Sequence, residues 1–216
     1  MYNVGYLTVS EGLPHNFVDD IYRDSRGFLW IGLGGCGLSR YDGNEFINFN
    51  ITSDEYPLTG NFAIEIVEDK FENLWVATEG GISVINIYNL KPQMIEDRSG
   101  RLAEVLRTPM WALTVDSQGK IWTRANNSIF CIDFDGSGAV TAISEIAGLS
   151  HPTGPIAMRD LFGTGKIWAL VNGEIAELES RAADGVITAT PISDCLRFVS
   201  DIAVPDMLLY GSEVWI

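Results

Sequence analysis

The sequence predicts an all-β fold, because one tryptophan-centred unit recurs along the chain and no segment has a sustained helical period. Five tryptophans follow one another at intervals of 45 to 47 residues: Trp30, Trp75, Trp122, Trp168 and Trp215. An apolar residue directly precedes each of them. A helix would repeat its apolar residues about every 3.6 positions, and no segment does so over any length. We therefore expect almost no helix.

The recurring unit divides into four short strands. In the first unit these are expected over Phe17–Arg23, Phe28–Leu33, Leu38–Tyr41 and Glu45–Phe49. Asp42-Gly43, between the last two, is a strong hairpin signal. In the second unit the fourth strand is expected over Gln93–Glu96.

Four-stranded units of this length are typical of β-propeller blades, which bury the faces of each small sheet against neighbouring blades. The sequence predicts four complete blades and part of a fifth, over about 12–50, 60–97, 109–146, 155–192 and 198–216. A large indole on a central strand packs between blades, so we assign the five tryptophans to the blade core rather than to a ligand platform.

Several acidic residues invite a catalytic or metal-binding interpretation. Asp24, Asp69 and Asp116 each stand six residues before a blade tryptophan, in the turn between the first two strands. Aspartate stabilises such turns through its side-chain oxygens, so a turn role is favoured. Residues 133–138 resemble the first half of a calcium loop, but Ser144 occupies the place of the bidentate glutamate, and a hairpin turn is due there.

The three cysteines, Cys36, Cys131 and Cys195, form no CxxC pair and are odd in number. We therefore expect buried free thiols rather than a disulfide framework or a zinc site. No catalytic or phosphate-binding motif is found, and we predict no metal and no cofactor.

The formal net charge of −15 would repel nucleic acid and anionic membranes, so neither is an expected partner. The first residues lack the basic and apolar regions of a signal peptide, and no apolar run reaches the ~20 residues of a membrane helix. We expect neither segment within this chain.

Blade 1 carries a distinctive pattern: GLPHN at 12–16, DSRGFLWIG at 24–32 and GLSRY at 37–41. This pattern resembles the two-component regulator propeller repeat. Blade 2 keeps the turn aspartate and the motif around its tryptophan. Blades 3 and 4 depart further, with Ser128 and Glu174 in place of the glycine before the third strand and no turn aspartate in blade 4.

The resemblance implies the periplasmic sensor region of a bacterial hybrid two-component system. Such a sensor would recognise an oligosaccharide and signal to a histidine kinase that controls transcription of carbohydrate-use genes. The resemblance also implies a homodimer of the full-length protein and no catalysis by this chain. Residues 2–9 would form an outer strand for ring closure, and the chain would be the first part of a larger, seven-bladed ring.

Loops at one end of the blades form the face where propellers usually bind ligands. We select these residues of that face as candidate ligand contacts: His15, Asn16, Asn61, Phe62, Arg107, Arg124, Asn126 and His151. Capping of loops and turns is the alternative role for each of them. A secreted polysaccharide lyase or glycosidase and a protein-interaction scaffold remain alternative functions.

Overall fold

A computed structural model of the protein describes residues 6–125, 127–149, 158–171, 174–181, 183–192, 208–210 and 213–215. Within these ranges the chain consists mainly of strands and turns, which confirms the all-β prediction. The exceptions are a 3-10 helix over Val9–Glu11 and the helix α1 over Leu102–Leu106. No helix in this part of the chain is long and apolar enough to cross a membrane.

Blade 1 is a four-stranded antiparallel sheet whose strands lie in chain order. Its strands are β1 (Val18–Arg23), β2 (Leu29–Leu33), β3 (Gly37–Tyr41) and β4 (Phe46–Phe49). The β3–β4 hairpin turns at the predicted pair, where Asp42 Oδ1 accepts hydrogen bonds from the N–H groups of Asn44 and Glu45. Gly43 has a φ of 105°, a left-handed value that favours glycine.

The remaining blades repeat this order of antiparallel strands but differ in the strand at the outer edge of the sheet. Blade 2 contains β5 (Ala63–Glu68), β6 (Asn73–Thr78) and β7 (Gly81–Asn86). Blade 3 contains β8 (Met110–Val115), β9 (Ile121–Ala125), β10 (Ser128–Phe134) and β11 (Val140–Ile146). Blade 4 contains β12 (Met158–Arg159), β13 (Ile167–Val171), β14 (Glu174–Arg181) and β15 (Val186–Pro191). A further hairpin is formed by β16 (Leu208–Tyr210) and β17 (Glu213–Trp215).

The fourth strand predicted for blade 2, over Gln93–Glu96, is wrong as a regular strand. The N–H of its first residue donates to the carbonyl of Val84 in β7, at 2.8 Å. The carbonyl of its last residue instead accepts a bond from Val140 of β11, also at 2.8 Å. The segment therefore crosses from blade 2 to blade 3. Pro92, which has no N–H to donate, lies at the start of this crossing.

The outer strand predicted over 2–9 is not formed where the structure describes it, since residues 6–8 are not strand and Val9 begins the 3-10 helix. A capping box explains the helix: Thr8 Oγ1 accepts a bond from Ser10 N, and Glu11 Oε2 accepts one from Thr8 N. Gly12, with a φ of 106°, ends it. Residues 1–5 lie outside the described ranges.

Tryptophan rings fill the spaces between successive blades. The Trp30 ring is fully buried in one cluster with Ile66 and Val76 of blade 2. Trp75 and Trp122 hold the same place against blades 3 and 4, and both are fully buried. Blades 1, 2 and 3 thus each present a tryptophan face to the blade that follows, and the first strands β1, β5, β8 and β12 contact one another in order.

Candidate functional site

Two exposed phenylalanine rings flank a pair of glycines at the end of blade 1. We call Phe17, Asp19, Gly34, Gly35 and Phe62 the glycine-pair patch. The ring of Phe17 is so close to Gly34 that a Cβ there would lie 2.2 Å from its Cδ1, and a Cβ on Gly35 would lie 3.8 Å from Phe62 Cζ. Phe17 is 60% exposed and Phe62 is 49% exposed. The absent side chain of Gly34 therefore leaves room for the ring of Phe17, Phe62 lies at ordinary contact distance from Gly35, and solvent can reach both rings.

Asp19 brings a carboxylate to the same patch. Its Oδ2 would lie 3.3 Å from a Cβ on Gly34. It has no hydrogen-bond partner among the described residues, and burial raises its pKa. A β-bulge between Val18 and Asp20 places Asp19 out of register with β2. Bulges of this kind redirect side chains near binding sites, and β5 and β8 carry one at the equivalent place.

The predicted residues Asn61 and Phe62 belong to the connection that enters blade 2. Glu79 holds this connection, because its two carboxylate oxygens accept bonds from Asn61 N at 2.8 Å and Phe62 N at 2.9 Å. The Asn61 side chain is itself engaged, since its Oδ1 accepts a bond from Ile51 N. Asn61 therefore positions the connection, whereas the ring of Phe62 is free to meet a ligand.

His15 and Asn16 hold the segment that leads into β1. His15 Nδ1 accepts a bond from Phe17 N at 3.0 Å, and Asn16 Oδ1 accepts one from Val9 N at 3.2 Å. Both residues are exposed, but their side-chain acceptor atoms are hydrogen-bonded to backbone N–H groups. The bond from His15 fixes the backbone that carries Phe17, so His15 acts on the patch through its neighbour.

The candidates on blades 3 and 4 are not brought to the patch by any described contact. Arg107 is an exposed residue that follows α1. Arg124, selected from the sequence as a residue of the loop face, lies within β9 and is only 2% exposed. Burial lowers the pKa of its guanidinium to about 10. Asn126 and His151 lie outside the described residues.

Two carboxylates that the sequence interpretation missed join the first strands of neighbouring blades. Asp20 Oδ2 accepts a bond from Ile66 N at 2.8 Å, and Glu65 Oε2 accepts one from Leu113 N at 2.5 Å. Glu65 Oε1 also pairs with Arg159 at 3.1 Å. Burial raises the pKa of both carboxyls. In the sequence, each of the two acidic residues stands ten residues before a blade tryptophan, and this spacing could have identified them.

The three turn aspartates bond both the turn backbone and the blade tryptophan. One oxygen of each accepts bonds from backbone N–H groups of the turn, as expected. The other oxygen accepts the indole N–H of the blade tryptophan at 2.8 Å in the pairs Asp24–Trp30, Asp69–Trp75 and Asp116–Trp122. Within the described ranges no three acidic, histidine or cysteine side chains come together as a metal site.

Blade 4 does have a turn aspartate, contrary to the sequence interpretation. Asp160, which stands eight residues before Trp168 rather than six, accepts bonds from Thr164 N and Gly165 N, and it accepts a further one from Ser117 N. The indole N–H of Trp168 is buried and has no acceptor among the described residues. The side chain of Trp215 lies outside the description.

The calcium-like segment is a hairpin turn. Asp135 Oδ1 accepts bonds from Ser137 N at 2.8 Å and Ala139 N at 3.2 Å. Together with the Ser137 hydroxyl these bonds lower the pKa of Asp135 to about 2. Asp133, the first residue of the segment, pairs with Lys120 at 2.8 Å. Both oxygens of Asp135 and one oxygen of Asp133 are thus engaged with protein groups, the second oxygen of Asp135 by Arg98.

Residues 12–35 match the family model described as Two component regulator propeller. This stretch of blade 1, from Gly12 to the loop after β2, is similar to a two component regulator propeller repeat. The resemblance predicted from the sequence is confirmed over these residues, which include Phe17, Asp19, Gly34 and Gly35 of the glycine-pair patch.

Solved structures share the fold at low sequence identity. An extracellular domain described as part of a one component system of B. thetaiotaomicron is 23% identical, with a TM-score of 0.60 over 87% of this chain and 27% of that chain. An extracellular domain described as part of a hybrid two component system of the same organism is 19% identical, with a TM-score of 0.54 over 87% and 32%. Virginiamycin B lyase from Staphylococcus aureus is 17% identical, with a TM-score of 0.61 over 94% and 64%.

These likenesses confirm the predicted propeller fold. The chain spans 27% and 32% of the two extracellular domains, and 64% of the lyase. No curated protein matches this chain.

Proposed function

We propose that this chain is the ligand-recognition part of an extracellular sensor that binds an oligosaccharide. The observation that carries the proposal is the glycine-pair patch, in which two exposed rings meet a carboxylate that has no partner among the described residues. The apolar face of a sugar ring packs on aromatic rings, and a sugar hydroxyl donates a hydrogen bond to a carboxylate. Phe17, Phe62 and Asp19 offer both kinds of contact.

The comparisons support the signalling half of the proposal. Blade 1 carries a two component regulator propeller repeat, and the fold is that of extracellular domains described as parts of one and two component systems. In this proposal the chain lies in the periplasm, and the full-length protein is a homodimeric histidine kinase that controls carbohydrate-use genes. Signalling requires that the ligand bind one arrangement of the sensor more tightly than another.

Calorimetric titration of the protein with a panel of neutral oligosaccharides tests the proposal. We expect at least one member of the panel to bind, and Phe62→Ala and Asp19→Asn to weaken that binding by about tenfold or more. Tyr88→Ala is the matched control, since it removes another exposed aromatic ring from a different part of blade 2. Absence of binding across the panel, or equal loss in the control, would count against the patch.

The enzymatic alternative has one observation in its favour, which is the shared fold of the S. aureus lyase. Fold alone does not carry an activity, because unrelated chemistries recur on one fold. Incubation of the protein with plant and host polysaccharides, followed by chromatography of the products, separates the alternatives. Chain cleavage that Asp19→Asn abolishes would replace the sensor proposal with a catalytic one.

A further inference from the structure

The charged side chains of the glycine-pair patch, and of the connection that carries Phe62, are acidic. Asp19 belongs to the patch itself. Glu79 holds the connection, and its two carboxylate oxygens accept bonds from Asn61 N and Phe62 N. The Arg159 guanidinium, which lies on β12, pairs with Glu65 at 3.1 Å. The local charge at the patch is therefore negative, in the same sense as the formal net charge of −15 of the whole chain.

Asp19 is a carboxylate whose charge is not compensated by a described neighbour. It is exposed, but it is partly shielded from water, and this burial raises its pKa. The adjacent Asp20 feels the charge of Asp19, which raises the Asp20 pKa as well. Shielding a charge from water costs free energy unless an opposite charge replaces the water. A cationic group at the patch would supply that charge, whereas an anionic group would be repelled.

The exposed rings attract the same kind of group as the carboxylate. The face of an aromatic ring is electrostatically negative, so an ammonium group is stabilised when it lies over that face. A Cβ built on Gly34 would lie 2.2 Å from Phe17 Cδ1 and 3.3 Å from Asp19 Oδ2. The Phe17 ring and the Asp19 carboxylate therefore flank one point, and a single ammonium group beside the ring is within reach of both.

Backbone hydrogen bonds hold the parts of the patch together. Gly34 N donates to Phe17 O at 3.1 Å, and Gly34 also forms an antiparallel bridge with Phe62. Gly37 N donates to Asn61 O at 2.6 Å. The backbones that carry the two rings are thus joined through the glycine loop. A ligand that binds there has little backbone to order, which favours selective binding.

We propose that the oligosaccharide ligand of the glycine-pair patch carries free amino groups, so that the patch selects amino sugars over neutral and acidic glycans. An ammonium group of the sugar pairs with Asp19 beside the Phe17 ring, and the apolar face of the sugar packs on Phe62. The inference rests on the proposed function, because it takes the patch as a sugar site and specifies the chemical class of the sugar.

Calorimetric titration with two matched oligosaccharides tests the inference. A glucosamine oligomer and an N-acetylglucosamine oligomer of equal length share one backbone, but only the first carries ammonium groups. At about pH 6 the amines are protonated and carboxylates are ionised. We expect the glucosamine oligomer to bind about tenfold more tightly than the acetylated one. Added salt should reduce this advantage, because it screens the attraction between exposed charges.

Three substitutions separate the effect of charge from that of shape. Asp19→Asn keeps the shape of the side chain and removes its charge, so the ratio of the two affinities should fall close to one. Phe62→Leu keeps an apolar contact without an aromatic face and should lower the ratio as well. Asp42→Asn is the matched control, because it removes one charge from the β3–β4 turn, outside the patch. It should leave the ratio unchanged.

The outcomes distinguish a failure of this inference from a failure of the proposed function. Binding of the acetylated oligomer that is as tight as that of the glucosamine oligomer would overturn the preference for amino sugars and leave the sugar site in place. Tight binding of a uronic acid oligomer would do the same. Absence of binding by both oligomers and by the neutral panel would overturn both proposals. A lysine oligomer that binds as tightly as the glucosamine oligomer would show a general cation site and overturn the assignment to a sugar.

Discussion

The indole N–H of Trp30 donates to Asp24 Oδ2 at 2.8 Å, six residues earlier in the chain, and the bond is fully inside the protein. The other oxygen of Asp24 accepts bonds from Arg26 N and Phe28 N. One side chain therefore closes the turn between β1 and β2 and satisfies the only polar group of a buried ring. The bond recurs in blades 2 and 3. The turn aspartate and the blade tryptophan, the two strongest signals of the repeat in the sequence, are therefore hydrogen-bonded to each other.

Removing this carboxylate should destabilise the fold strongly. Asp24→Ala leaves the buried indole N–H and two turn N–H groups without acceptors, and we expect a loss of about 2 to 4 kcal/mol in the free energy of unfolding. Asp42→Ala is the matched control, because Asp42 caps an exposed hairpin and bonds no buried ring. Urea denaturation followed by tryptophan fluorescence measures both. A loss as small as that of the control would show that the indole bond contributes little.

The turn aspartates also show how far the sequence could predict this fold. Capping of a turn by Asp24 is local, so the spacing of residues along the chain was enough to predict it. The indole bond depends on the ring conformation of Trp30, which spacing does not reveal. In blade 4 Asp160 stands eight residues before Trp168 instead of six, and alignment on the tryptophan therefore hid it.

The candidate site was predictable only in part for a similar reason. Phe62 was selected as a residue of the loop face and lies exposed in the connection that enters blade 2, but Phe17 and Asp19 were counted as ordinary strand residues. The bulge in β1 sets Asp19 out of register, and nothing in the sequence marks a bulge of this kind. Asn61 looked like a ligand contact because it is polar and in a loop, yet its side chain bonds the backbone.

Trp122 and Trp168 occupy the same position in the repeat, but loss of the indole N–H should change the free energy of unfolding by different amounts at the two sites. In Trp122→Phe the carboxylate of Asp116 loses its indole donor inside the protein, and we expect a cost of about 2 to 4 kcal/mol. In Trp168→Phe the lost N–H has no acceptor among the described residues, so the cost should be about 1 kcal/mol. Chemical denaturation of the two variants gives the comparison. Equal costs would mean that the indole bond to Asp116 is energetically neutral.

Glu65 should make the protein less stable as the pH rises. Burial raises its pKa in the folded state above the ordinary value of 4.5. Between these two pKa values the folded state binds more protons than the unfolded state, so the free energy of unfolding falls with increasing pH. Glu65→Gln carries no titrating group and should lack this contribution. We expect the stability of the native protein relative to Glu65→Gln to increase as the pH is lowered from 7 towards 4.5.

Asp42→Asn gives the opposite sign and serves as the control for that titration. Bonds from Glu45 N and Asn44 N lower the pKa of Asp42 below its ordinary value. Asp42 therefore stabilises the protein at pH values above its ordinary pKa, and this stabilisation is lost as the pH falls through the lowered pKa. Urea unfolding of both variants at a series of pH values measures the two slopes. If the free energies of unfolding of the native protein and of Glu65→Gln changed in parallel with pH, the raised pKa of Glu65 would be contradicted.

Cys36 and Cys131 should differ sharply in their reaction with thiol reagents. Cys131 is fully buried, and burial raises its pKa, so both access and thiolate formation are suppressed. Cys36 is only half-buried, in the loop beside the glycine-pair patch. We expect iodoacetamide to modify Cys36 in the folded protein and to reach Cys131 only after unfolding in urea. Peptide mass spectrometry resolves these two sites from Cys195, which lies outside the described residues, and Cys36→Ser should remove the fast reaction at its own peptide without exposing Cys131. Modification of Cys131 at the rate of Cys36 in the folded protein would mean that the core between blades 3 and 4 opens under native conditions.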